Sequence, residues 1–300
     1  MFFNQVDFTK NPFWKYLLGS FVIIIFSFIG QAPLTYFIME ADPMTSGADP
    51  MALIRDLDKN LQLFLLLTPF VIGFLGLWLV VVKLHEITLR TIATSRARID
   101  WSRLIYAFLL WGIFSFVLIV GDYFLSPESY EWNFNAKAFG ILFIISVLMM
   151  PIQTSLEEFV FRGYLMQGFG GMFKNRWAPL LMTSLIFGSL HMFNPEVEKL
   201  GYGIMFYYIG TGLFLGILTL MDEGIELALG FHAANNLITA LLVTSSWTAF
   251  QTESILIDIS EPSLGAELIL SLVIFYPLFL LIMSKKYGWS HWKMKLTARL

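Results

Sequence analysis

The sequence predicts an all-α fold, a polytopic membrane protein with about eight transmembrane helices. Three observations carry that expectation. Of 300 residues, 57% are hydrophobic and 14% charged, whereas a soluble domain carries roughly 25% charge; mean hydropathy is +0.70. Apolar runs repeatedly reach the roughly 20 residues that a spanning helix needs. The basic residues fall almost entirely in alternate loops, as cytoplasmic retention of Lys and Arg requires.

The first run, Phe13–Met39, is too long for the apolar part of a signal peptide and has no small-residue cleavage site after it, so it reads as a retained span. Leu61–Val82 and Leu104–Leu125 follow. Ala138–Ser155 is the fourth, expected to continue as helix to about Met166. Trp177–Phe193, Tyr202–Met221 and Ile225–Val243 come next. The short connection Met221–Ile225 makes the sixth and seventh spans antiparallel neighbours. Leu264–Met283 is the eighth. Gly212 and Gly216 form a GxxxG in the sixth span, with Gly210 alongside, and read as close helix packing rather than a dimer motif. Trp14, Trp78, Trp101, Trp132, Trp177 and Trp289 lie near predicted span ends, where indoles anchor at the interface. The expected division is 1–137 for the first three helices and their loops, 138–245 for a core of helices four to seven, and 246–300 for the last helix and a basic tail.

With the N-terminus in the cytoplasm, 15 of the 19 basic residues lie inside. The outside keeps Arg55, Lys59, Lys137 and Lys199. The external loops are acidic instead: Glu40, Asp42, Asp49, Asp56 and Asp58 in the first, Glu128 and Glu131 in the second. The polar stretch Asp42–Asp58, with Pro43, Gly47 and Pro50, reads as an extracytoplasmic loop. An odd helix count would strand the basic tail outside, so eight spans with both termini cytoplasmic fit best. A net charge of −3 implies no nucleic-acid partner. The absence of cysteine removes disulfides, thiolate ligands and a thiol nucleophile.

Against this apolar background stand Glu157, Glu158, Arg162, His191, His232 and Asn236. Ionisable groups in membrane-length segments cost roughly 2.5–3.5 kcal/mol each on insertion scales and so mark a site. Glu158 and Arg162 share a helix face at i, i+4 and are expected to pair. Glu157 is turned about 100° away and is left unmatched by Arg162. The sequence Phe187-Gly-Ser-Leu-His191 puts an imidazole one turn after Phe187, near the end of the fifth span. His232 and Asn236 share a face of the seventh, while Asn235 points elsewhere and can bond between helices. Each feature alone has a bland reading: a solvated helix end, an interfacial histidine, polar glue between helices. Together they supply an acid/base carboxylate, two imidazoles and an amide. Hydrolysis of a peptide bond needs an activated water and donors for the oxyanion. Glu157 with His191 suits the first; His232 with Asn236 suits the second.

These three motifs, in this order on consecutive helices, resemble the CAAX-processing and bacteriocin-processing (CPBP, Abi) intramembrane proteases, related to the Ras-converting CAAX endopeptidases. The resemblance covers roughly Ala138 to Val243. It implies a glutamate-dependent endopeptidase whose core is helices four to seven, with catalytic Glu157, water-binding His191 and an oxyanion pair His232 and Asn236; Glu158, Arg162 and Phe187 are supporting residues. It implies no cofactor, although a zinc site from Glu157, His191 and His232 is chemically conceivable. The partners it implies are the lipid bilayer and a membrane-associated protein or peptide substrate, in a multi-pass protein of a bacterial plasma membrane. The oligomeric state is not readable.

Other chemistries fit less well. His85-Glu86-Ile-Thr-Leu89 begins like HExxH but has Leu89 where the second zinc ligand belongs; it falls in a basic loop and reads as solvated surface. Gly121-Asp122 lacks the rest of an aspartyl pattern, and no GxSxG is present. Two readings from other classes remain open. One is a proton-coupled transporter with Glu157 and the histidines as a relay, although inverted repeats are not evident. The other is a non-catalytic immunity or scaffold protein.

Overall fold

In the computed structural model the described residues are 2–41 and 57–300. The acidic loop Asp42–Asp58 lies outside them except for Leu57 and Asp58. Every apolar run forms a helix. We label them α1 (Phe13–Met39), α2 (Lys59–Leu84), α3 (Trp101–Leu125), α4 (Ala136–Phe173), α5 (Trp177–Leu190), α6 (Pro195–Asp222), α7 (Glu226–Leu242) and α8 (Leu268–Tyr287). Six are long and apolar enough to cross a membrane. The two others, α5 with 14 residues and α7 with 17, fall short of that length. The all-α polytopic expectation holds, with this difference in reach between its members.

Local chemistry sets the helix starts. Asp58 accepts from the amides of Asn60 and Leu61 at the head of α2. Asp100 does the same for Ser102 and Arg103 at the head of α3, and Asn135 for Lys137 and Ala138 at the head of α4. Each satisfies donors that a helix start leaves orphaned. α4 runs beyond the expected end near Met166, because Phe159–Leu165 widens into a π-helical stretch and the chain carries on as α-helix to Phe173. α7 packs on α3, α4 and α6, and α5 packs on α6. The three-residue link from α6 to α7 begins with Glu223 in the left-handed region at φ 59°, which turns the chain sharply enough to make antiparallel neighbours.

The glycines of α6 explain how closely α5 approaches. A Cβ at Gly212 would lie 3.0 Å from the backbone of Ser184, and one at Gly216 would lie 2.4 Å from Leu180. The GxxxG therefore packs α6 on α5 within the chain. A feature not expected from sequence lies at one end of the bundle. Strands β1 (Tyr130–Trp132), β2 (Val243–Thr244) and β3 (Leu256–Asp258) form a small sheet in the order β1-β3-β2. It ties the α3–α4 connection to the segment after α7. At the opposite end Arg96 pairs with Asp222 at 2.5 Å and with Glu226 at 3.2 Å, and Arg103 also pairs with Asp222.

His85 corrects the sequence reading. It is buried rather than solvated, with 3% exposure. Nδ1 meets Asn11 Oδ1 and Nε2 meets the Tyr164 hydroxyl, both at 2.9 Å. Tyr164 follows the Glu pair on α4, so polar partners far away in the chain hold this loop histidine inside.

Candidate active site

The supporting pair sits in the dry interior. Glu158 and Arg162 have side chains with no exposed surface and pair at 3.0 Å, as the i, i+4 spacing predicts. Arg162 also donates to Gly212 O at 3.2 Å and stacks its guanidinium 4.3 Å from the Phe187 ring centre. Three elements thus meet on one cation: α4 supplies it, α6 a carbonyl and α5 an aromatic face. Because Gly212 lacks a side chain, Ser184 and Phe187 of α5 can pack directly against it.

Glu157 has no ion pair with Arg162 and instead faces His232, whose Nε2 lies 3.5 Å from Glu157 Oε2. The same imidazole is held from behind, since His232 Nδ1 meets Glu158 Oε1 at 2.8 Å. A carboxylate paired with Arg162 accepts, so Nδ1 of His232 carries the proton. Its Nε2 then faces Glu157 with one position at which a proton can be shared. The expected division between the two glutamates gains a detail: Glu158 orients an imidazole as well as pairing with Arg162.

His191 follows the last residue of α5. Its Nδ1 lies 2.8 Å from Phe187 O. A carbonyl oxygen only accepts, so Nδ1–H donates, and Nε2 of the neutral ring keeps its lone pair. Tyr208 of α6 stacks on the ring at 4.4 Å between centroids. On α7, Asn236 Nδ2 donates to Gln153 Oε1 at 3.0 Å. Asn235 accepts from Trp111 Nε1 of α3 at 3.1 Å, the interhelical bond its position suggested.

A cavity of about 690 Å³ joins these groups. Glu157, His191, His232 and Asn236 all line it, whereas Glu158 and Arg162 do not. Much of the remaining lining is apolar, with residues such as Phe28 of α1, Phe70 of α2 and Phe250 of the segment after α7, alongside polar groups such as Gln31 and Thr211. The four residues singled out from sequence therefore share one chamber. Sequence reasoning missed Gln153, Tyr208 and Trp111. Gln153 carried a signal: it is four residues before Glu157 and so on the same helix face. Nothing local marked the other two. Among the described residues, no group of three or more His, Asp and Glu side chains is placed to hold a metal ion.

The class of protein defined so far is an integral, helical membrane protein with an ionisable, amide-lined chamber among its helices. Within it, residues 136–238 match the family of type II CAAX prenyl endopeptidases, Rce1-like, which is the family that the three motifs resemble. The chain is also 29% identical over 243 residues to the uncharacterized protein YyaK of Bacillus subtilis, covering 78% of this chain and 79% of that one. No solved structure matches it.

Proposed function

We propose that this protein is an intramembrane endopeptidase that hydrolyses a peptide bond of a membrane-associated protein or peptide, using water activated by Glu157 and His191. One observation carries this reading: a single chamber is lined by Glu157, His191, His232 and Asn236, beside a buried Glu158–Arg162 pair. The matched family supports the reaction class.

In the proposed reaction, a water held by Glu157 and the free Nε2 of His191 gives up a proton as its oxygen bonds to the carbonyl carbon. The carbonyl π electrons move to oxygen. The resulting oxyanion accepts from Asn236 and from the Nε2–H of His232 when that ring carries both protons. The C–N bond then breaks, and the proton held by Glu157 or His191 passes to the leaving amine. No metal is required by this scheme. The apolar walls from α1 and α2 suit a substrate with an apolar portion, and the basic residues Arg96, Arg103, Arg176 and Lys295, gathered around the acidic α6–α7 turn, suit cytoplasmic placement of both termini in a bacterial plasma membrane.

Glu157→Ala, His191→Ala and Asn236→Ala should each abolish cleavage while the protein still inserts. For Asn236 the expected loss is about 10²–10³-fold in kcat, the usual effect of one oxyanion donor. Comparing the proteomes of cells carrying the wild type and Glu157→Ala identifies the substrate. Full activity on that substrate by any of the three variants overturns the mechanism.

A further inference from the structure

Trp111 on α3 starts a chain of hydrogen bonds that ends at the cavity. Its indole Nε1 donates to Asn235 Oδ1 at 3.1 Å. Asn235 Nδ2 donates to Asn236 Oδ1 at 3.3 Å, and Asn236 Nδ2 donates to Gln153 Oε1 at 3.0 Å. The two ends of a carboxamide are nearly the same shape, so amides alone leave their own orientation open. An indole N–H can only donate. The indole therefore sets the direction of the whole chain: each amide turns its oxygen towards Trp111 and its nitrogen towards the next partner. The indole itself is held, 6% exposed and packed with its ring centre 4.3 Å from that of Phe231. At the other end Gln153 is 3% exposed and lines the cavity. Its oxygen is occupied by Asn236, and its Nε2 has no protein acceptor among the described residues.

We propose that Trp111, acting through Asn235, is a positioning residue that keeps Asn236 and Gln153 in the donor orientation, and that Gln153 is a second carboxamide donor to the substrate peptide beside Asn236. This rests on the endopeptidase reading above. The physical reason is charge. Hydrolysis builds negative charge on the carbonyl oxygen, and an amide turned the other way would offer that oxygen another oxygen instead of an N–H. Free amides can turn; amides tied to a donor-only ring cannot without leaving the indole N–H unpaired in the interior. Trp111 lies outside the matched segment 136–238, so the orientation of the site depends on a helix that carries none of the three motifs.

The test uses the full chain and a fluorogenic peptide copied from the cleavage site of the substrate that the proteome comparison identifies. Wild type and Glu157→Ala are compared first. Turnover by both, or by neither, overturns the endopeptidase reading and with it the substrate contact of Gln153. With wild type active and Glu157→Ala inactive, Gln153→Glu keeps an acceptor for Asn236 but loses the donor, and should lower kcat about 100-fold with little change in KM. Trp111→Phe keeps a ring against Phe231 but removes the N–H, and should lower kcat about tenfold at an unchanged melting temperature. Rates for both variants within about twofold of wild type overturn the proposal. A second measurement needs no substrate. In nitrogen-15 tryptophan-labelled protein, the indole signal lost in Trp111→Phe is that of Trp111. Its exchange with solvent should be about tenfold faster in Asn235→Leu than in wild type; equal exchange overturns the chain directly.

Discussion

Two carboxylates adjacent in sequence have opposite surroundings. Glu158 is sealed against Arg162 and His232, whereas Glu157 opens on the cavity. Removing one member of a sealed pair strands the other charge, at about 3–5 kcal/mol. Arg162→Ala should therefore lower the melting temperature in detergent strongly, while Glu157→Ala leaves it near that of wild type. This difference was legible in sequence, because i, i+4 spacing assigns Arg162 to one glutamate only. His85 was not legible, since its two partners, Asn11 and Tyr164, are distant in the chain. Burial, and then the charge of Lys15, push its imidazole down from the ordinary 6.5 to about 4. The unfolded chain binds the proton first on acidification, so the contribution of this group is full above pH 6.5 and is lost as pH falls towards 4. A melting-temperature series over that window should decline in wild type and flatten in His85→Gln.

At the scale of elements, the site depends on how closely α5, α6 and α4 approach. Gly212 sits against the Ser184 backbone, and its carbonyl accepts from Arg162. Gly212→Val should push α5 from α6, break that bond and reduce both melting temperature and turnover; a variant equal to wild type in both would deny the glycine this role. The sequence disclosed the helices because apolar runs of spanning length are a local signal. It disclosed the pairing of Gly212 and Gly216 with α5 only as generic closeness. The π-helical stretch Phe159–Leu165 and the sheet joining β1, β3 and β2 escaped it. Both depend on partners far away in the chain, as does the bond from Trp111 to Asn235.

At the scale of the molecule, the two ends of the bundle differ in chemistry. One carries the small sheet; the other carries Arg96 and Arg103 clasping Asp222. The chain lacks cysteine, so single introduced thiols report on side unambiguously. Ser260→Cys should react with a membrane-impermeant maleimide from outside intact cells, and Arg98→Cys only after the cytoplasmic face is opened. The reverse pattern would invert the proposed orientation. Four sequence-selected residues converging on one chamber was the most demanding expectation, and spacing alone could place them on faces but not at a common depth. That depth is set partly by length. With 14 residues and a rise of about 1.5 Å per residue, α5 is about 21 Å long, beside a hydrocarbon layer of about 30 Å. Thinning of the bilayer is one way to match this flank. Such thinning would draw headgroups and bulk solvent inward at the very wall that carries His191, giving a buried chamber a shallow shoreline through which the water of the proposed hydrolysis would be replenished.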